Sequence, residues 1–139
     1  MNGIKLLATG AALPRQAVSN HDLARRGDTS DEWIVTRTGI STRRHCTGEE
    51  SHTTLSLAAA QQALERAGIA PEQVGVCIVA TLSQDQLTPA AACILQRELG
   101  FLEDTVCFDL NAACSGFVYA LHTAQCLLCA APRKFALVV

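Results

Sequence analysis

The sequence predicts an α/β fold, a mixed and mostly parallel sheet covered by helices. Val74 to Ala80, a short continuous apolar run, marks a strand buried on both faces, and Val106 to Leu110 reads as another buried strand. Segments with apolar residues at helical spacing alternate with them, and such alternation implies a parallel-rich sheet with helical crossovers. Composition agrees: 49% of residues are hydrophobic and 17% charged, enough apolar material for a packed core. One domain spanning residues 1–139 is expected.

Taken in order, Ile4 to Ala8 reads as a first strand, ended by Gly10 and Leu13-Pro14. Asn20 is placed to cap a short helix running to Arg26. Ser30 is placed to cap a second, with Asp31 and Glu32 in its first turn, where negative charge suits the helix dipole. A longer helix starts near Ser51 or Thr53 and carries Leu57, Ala60, Leu64 and Ala67 on one face, with Gly68 at its end and Ile69 folding back. After the Val74–Ala80 strand, Thr88-Pro89 should open the next helix and Gly100 close it. Val106 to Leu110 is the next strand, Cys114 to Ala130 a long apolar helix, and Phe135 to Val139 a last strand. The order is βαβαβαβ, with helices inserted after the first strand. Because the Cys114–Ala130 helix is apolar nearly all round, it should lie between layers, covered on its far side by another domain or subunit. The sequence stops inside a strand signal, so a fragment of a longer protein is expected.

Charge and targeting signals narrow the function. A net charge of −2 gives no electrostatic reason for a nucleic acid or an anionic membrane as partner. No apolar run is read as a bilayer span, and no leader as a signal peptide, so a cytoplasmic protein is expected. Seven cysteines in that compartment are free thiols. Cys77, Cys93 and Cys107 lie in apolar segments and should pack as small hydrophobes. Cys126 and Cys129 form a C-x-x-C with leucines between them, which reads as core packing before redox or zinc. His45, Cys46 and His52 fit no metal template, and no metal is expected. Arg43, Arg44 and His45 read as a basic cluster on a solvated loop.

The chemistry concentrates in Asp109-Leu110-Asn111-Ala112-Ala113-Cys114-Ser115-Gly116-Phe117. A strand runs into a helix through small residues, with Cys114 at the junction. Ala112, Ala113 and Gly116 leave room for a substrate and for a sharp turn. The amino end of a helix favours a thiolate, and its N–H groups can receive an oxyanion. A thiolate attacks thioesters, so acyl transfer to Cys114 is the natural reaction. A buried cysteine that happens to begin a helix is the competing reading, and these residues alone weigh the two equally.

Asp28-Thr29-Ser30-Asp31-Glu32-Trp33-Ile34-Val35-Thr36-Arg37-Thr38-Gly39-Ile40, together with the Cys114 segment, resembles β-ketoacyl-acyl-carrier-protein synthase III, a thiolase-superfamily condensing enzyme. The likeness continues through Val79-Ala80-Thr81, Ala91-Ala92-Cys93 and Ala136-Leu137-Val138-Val139, and corresponds to the amino-terminal half of that family. It implies a thiolase-like fold. It also implies that Cys114 accepts an acyl group from an acyl-CoA primer, and that decarboxylated malonyl-acyl carrier protein then attacks this thioester. Trp33 and Arg37 would clasp the adenine of CoA, and Thr29 would bond to it; at i and i+4 both flat groups share one helix face. Thr88 falls where some members place a bulky aromatic that reaches the neighbouring subunit's acyl pocket, so primers longer than acetyl are expected. The family forms a homodimer in which the strand matching Val106–Leu110 pairs with its twin. It uses no cofactor besides CoA and carrier-protein thioesters as substrates.

The resemblance also implies a histidine and an asparagine that none of His21, His45, His52 and His122 supplies, so these residues alone should condense nothing. Three other readings stand beside it: a thiolase-fold acyltransferase of secondary metabolism, a non-catalytic pairing subunit, and a thiol redox protein built on Cys126 and Cys129.

Overall fold

The computed structural model describes residues 3–139, in which the chain forms two compact units, Leu13–Ser51 and a larger one of His52–Val139 with the residues up to Ala12. In the smaller unit, β1 (Gln16–Ser19) pairs antiparallel with β2 (Thr42–His45), Gln16 opposite His45 and Ser19 opposite Thr42. Between them run α1 (Asn20–Ala24) and α2 (Asp31–Thr38).

Ser19, not Asn20, caps α1: its hydroxyl accepts from Asp22 N–H at 3.1 Å while Asp22 Oδ2 accepts from Ser19 N–H at 3.0 Å. Asn20 is buried one position later. Its amide donates to Asp31 Oδ1 and to the Ile40 carbonyl, both at 2.8 Å, and its oxygen accepts from Arg43. Arg43 also donates to the Val18 carbonyl, and Arg44 to that of Arg15. The expected basic loop is therefore a strand whose arginines are spent on carbonyls and on Asn20, because an antiparallel partner places those acceptors within reach. Ser30 caps α2 as expected, accepting from Trp33 N–H at 3.1 Å, and Gly39 closes it at φ +68°.

In the larger unit, α3 (His52–Ala67), β3 (Val74–Ala80), α4 (Ala91–Leu99), β4 (Val106–Leu110), α5 (Gly116–Ala130) and β5 (Phe135–Val138) follow one another. The strands form a parallel sheet in the order β4-β3-β5. β3 is the centre. Val74, Cys77 and Val79 pack with Ala60, Ala91, Ala92 and Leu95 of α3 and α4. Val76 and Ile78 pack with Ala120 and Ala124 of α5. A strand covered on both faces has no polar alternation to show, which is why its apolar run was legible. α3 ends as the sequence predicts, with Gly68 at φ +65° and Ile69 N–H bonded back to the Leu64 carbonyl at 3.2 Å.

Four expectations are corrected here. Ile4 to Ala8 is not a strand: Ile4, Leu6 and Leu7 are exposed, and a strand exists only through a ladder, which none of the described residues offers them. Thr88-Pro89 does not open α4. The helix starts at Ala91 after an uncapped Ala90, and Asp109 reaches across to accept from Ala91 N–H at 2.8 Å and Ala92 N–H at 2.9 Å. α5 is covered on one face by the sheet, where Gly116, Ala120 and Ala124 lie, while Phe117, Val118 and Tyr119 are exposed on the far side, where the sequence predicts another domain or subunit. Residues Ala113–Ala130 are also long and apolar enough to cross a bilayer by length and composition, against the expectation that no run is. The stretch carries no charged residue, and its small residues pack on β3 as those of a core helix do. Lastly, Cys126 and Cys129 are exposed rather than core, because the face of α5 that carries them turns away from the sheet.

Candidate active site

Cys114 is delivered by three local decisions of the chain. β4 ends at Leu110, whose carbonyl accepts from Thr81 N–H at 3.1 Å. Asn111 then holds the turn, its side-chain oxygen accepting from Ala113 N–H at 3.4 Å. Ala113 takes φ +44°, a left-handed conformation that alanine adopts only where its surroundings impose it. A single 3-10 turn, Ala113–Ser115, leads into α5, and Cys114 stands exposed on it. No side chain caps the amino end of α5; the 3-10 turn takes Ser115 N–H to the Ala112 carbonyl and Gly116 N–H to that of Ala113. Gly116 packs beside β3, where a Cβ would stand 3.5 Å from that of Ala80, an ordinary contact.

Cys126 and Cys129 are exposed as Cys114 is, and the three sulfurs nearer the sheet differ from it. Cys77 and Cys107 are opposite each other in the β3–β4 register. Its hydrogen bond to Cys107 and its burial push the Cys77 thiol far up, while Cys107, which accepts that bond, is held below the usual thiol value. Burial pushes Cys93 up. Cys77 and Cys93 are thus poor nucleophiles, and Cys107 is the half-buried comparison against which Cys114 must be judged.

In the smaller unit, α2 brings Trp33 and Arg37 together. The indole is 53% exposed and so is no core anchor among the described residues. The Arg37 guanidinium lies over the ring, 4.4 Å from its centroid. Thr29 precedes the Ser30 cap, and its hydroxyl is buried without a hydrogen-bond partner. An orphaned hydroxyl beside an exposed aromatic–cation pair is what a flat ligand with a polar edge would satisfy. Thr88 is exposed in the loop between β3 and α4. The structure therefore groups Thr29, Trp33 and Arg37 in one unit, and Cys114 and Thr88 in the other.

Two contributors escaped the sequence reading. Asp109 is one, a carboxylate at the end of an apolar strand, and that misplaced charge was the available signal. Asn111 is the other, signalled only by its preference for turns.

Comparison with known proteins follows this geometry. The family model described as 3-oxoacyl-[acyl-carrier-protein] synthase III matches residues 108–139, which hold the Cys114 turn, α5 and β5. β-Ketoacyl-[acyl-carrier-protein] synthase III of Clostridium acetobutylicum is 45% identical over 139 residues, all of this chain and 42% of the relative. The chain is a synthase III homologue. The crystal structure of the synthase III of Aquifex aeolicus superposes with a TM-score of 0.85 at 42% identity, covering 92% of this chain and 41% of that one. The priming β-ketosynthase of the R1128 polyketide pathway superposes with a TM-score of 0.81 at 38% identity, covering 86% of this chain and 36% of that one. The thiolase-like condensing-enzyme fold expected from the sequence is thus shown, and the chain spans about 42% of the length of the synthase III relatives.

Proposed function

We propose that the protein containing this chain is a β-ketoacyl-acyl-carrier-protein synthase III that starts fatty-acid elongation, with Cys114 as its acyl acceptor. One observation carries the reading: an exposed cysteine held by a left-handed Ala113 at the junction of the edge strand β4 and a helix with no side-chain cap. There the Cys114 thiolate adds to the thioester carbonyl of an acyl-CoA, and N–H groups at the helix end stabilise the oxyanion. Collapse of that intermediate expels the CoA thiolate and leaves acyl-S-Cys114. Malonyl-acyl carrier protein then loses CO₂, its carbanion attacks the acyl group, and the Cys114 sulfur departs with the electron pair, giving a 3-oxoacyl product.

The Trp33–Arg37 pair and the Thr29 hydroxyl hold the adenine of CoA in this reading. The carbanion step needs a polarising histidine and asparagine, which the missing part of the protein is to supply, so this chain alone is expected to be inactive in condensation. The small side chain of Thr88 leaves room for primers longer than acetyl. Two copies associate through the free edge of β4.

Fully folded, full-length protein given acyl-CoAs of two to eight carbons tests the reading by mass. It should gain one acyl group on Cys114, from C4 to C8 as well as C2, and Cys114→Ala should gain none. Labelling elsewhere, or none from any acyl-CoA, overturns the assignment. A starter-unit role in secondary metabolism is the second reading, favoured by the likeness to the R1128 priming ketosynthase, and a preference for branched or longer primers over acetyl would support it.

A further inference from the structure

The loop from Thr81 to Ala90, which carries Thr88, is tied at both ends to adjacent residues of one strand. At its start, Thr81 N–H donates to the Leu110 carbonyl. At its far end, the first amides of α4 donate to both oxygens of Asp109. Midway, Asp85 accepts from His52 N–H at 3.1 Å and Thr53 N–H at 2.8 Å, so the loop in turn caps α3. Asp109 and Leu110 are also the residues from which the chain enters the turn of Asn111, Ala113 and Cys114.

The Asp109 carboxylate has no local reason to be there. A helix is ordinarily capped by its own preceding residue, and a serine or aspartate at Ala90 would serve. Here that position is an alanine without a side-chain bond, and the cap comes from a distant strand, 18 and 17 residues further along the chain. The arrangement fixes more than a helix end, since it sets the loop and the nucleophile turn from one point.

We propose that Asp109 is a positioning residue, one that registers the Thr88 loop and the Cys114 turn against each other and thereby sets both the sulfur's reactivity and the primer length accepted. The inference rests on the proposed reading of Cys114 as acyl acceptor and of Thr88 as facing the neighbouring subunit's acyl pocket, so that in a dimer Asp109 would tune its own sulfur and its partner's primer length. Asp109 itself touches no reacting atom.

The test compares full-length wild type with Asp109→Asn, Asp109→Ala and the double variant Asp109→Ala/Ala90→Ser, in which the serine restores a local cap to α4 without restoring the tie. Three quantities are read on folded protein: melting temperature, the ratio of acylation rates with hexanoyl-CoA and acetyl-CoA, and the iodoacetamide rate at Cys114 relative to Cys46 in the same molecule. We expect Asp109→Ala to shift both ratios by about tenfold, the scale on which a small misplacement at a reacting centre acts, and Asp109→Asn to fall between. The double variant should regain melting temperature while both ratios stay shifted. Recovery of the ratios together with the melting temperature would show a helix cap and nothing more, as would ratios unchanged in Asp109→Ala. If wild type takes up no acyl group at all, the acyl-acceptor reading fails. The alkylation ratio, which needs no acyl-CoA, then still decides whether Asp109 positions the sulfur.

Discussion

Truncating Trp33 to alanine removes the larger half of the only aromatic–cation pair among the described residues. An exposed pair of this kind contributes about 0.5–1 kcal/mol internally, and more when a ligand desolvates it. CoA affinity of the full-length protein should therefore fall about fivefold to tenfold in Trp33→Ala, measured by calorimetry, while the melting temperature barely moves because the indole is exposed. An unchanged affinity would remove α2 from the CoA site. Because the guanidinium already lies on the ring, an adenine held between the two must part them, and Arg37→Ala should cost less than Trp33→Ala. Cys114 was singled out by its place where a strand meets a helix through small residues, and Trp33 and Arg37 by the family resemblance. Asp109 and Ala113 were not, since a distant cap and a left-handed φ leave no local pattern in the chain.

Elements are joined by a few polar ties whose acid dependence can be worked out. Arg133, just before β5, donates to both oxygens of Asp104 at 2.8 and 3.0 Å and to the Val74 carbonyl at 3.0 Å. The Arg133 hydrogen bonds hold the Asp104 carboxyl below its ordinary value of 3.8. A carboxyl lowered on folding contributes stability that is fully present above its unfolded value and is lost as pH falls through its folded value. The tie should thus contribute constantly from neutral pH to about 5 and fade below about 4. Urea midpoints taken across that range should fall less steeply in Asp104→Asn than in wild type; parallel curves would mean the tie is not formed. Element boundaries followed the sequence wherever packing fixed them. Val74–Ala80, the Ser30 cap and the Gly68 and Gly100 stops all hold. They failed where a partner distant in sequence decided the matter: Asp109 for α4, β1 for the arginine strand, and the absent ladder for Ile4–Ala8.

At the scale of the whole molecule, much apolar surface remains outward. Phe117, Val118 and Tyr119 on α5 are 53%, 64% and 56% exposed, and Val106 at the start of β4 is 43% exposed. β4 pairs with β3 on one side only, and an apolar strand edge left open invites a matching edge. Sedimentation of the full-length protein should give a dimer, and Val106→Lys should shift it toward monomer; a monomer at every concentration would dismiss the pairing. The sequence foresaw that α5 needs cover, from its lack of any polar face. It could not foresee that Cys126 and Cys129 stand on the side needing it, because a helix apolar all round gives no phase from which to tell inner from outer.

The Asp109 cap has a consequence for synthesis. α4 leaves the ribosome well before its cap does, and Ala90 offers no substitute. Until β4 arrives, the first amides of that helix must make do with water, so secondary structure here waits on a tertiary event. Amide exchange in the mature protein should carry the same signature, with the opening of the Ala91–Leu99 turns and of the Val106–Leu110 ladder occurring as a single step.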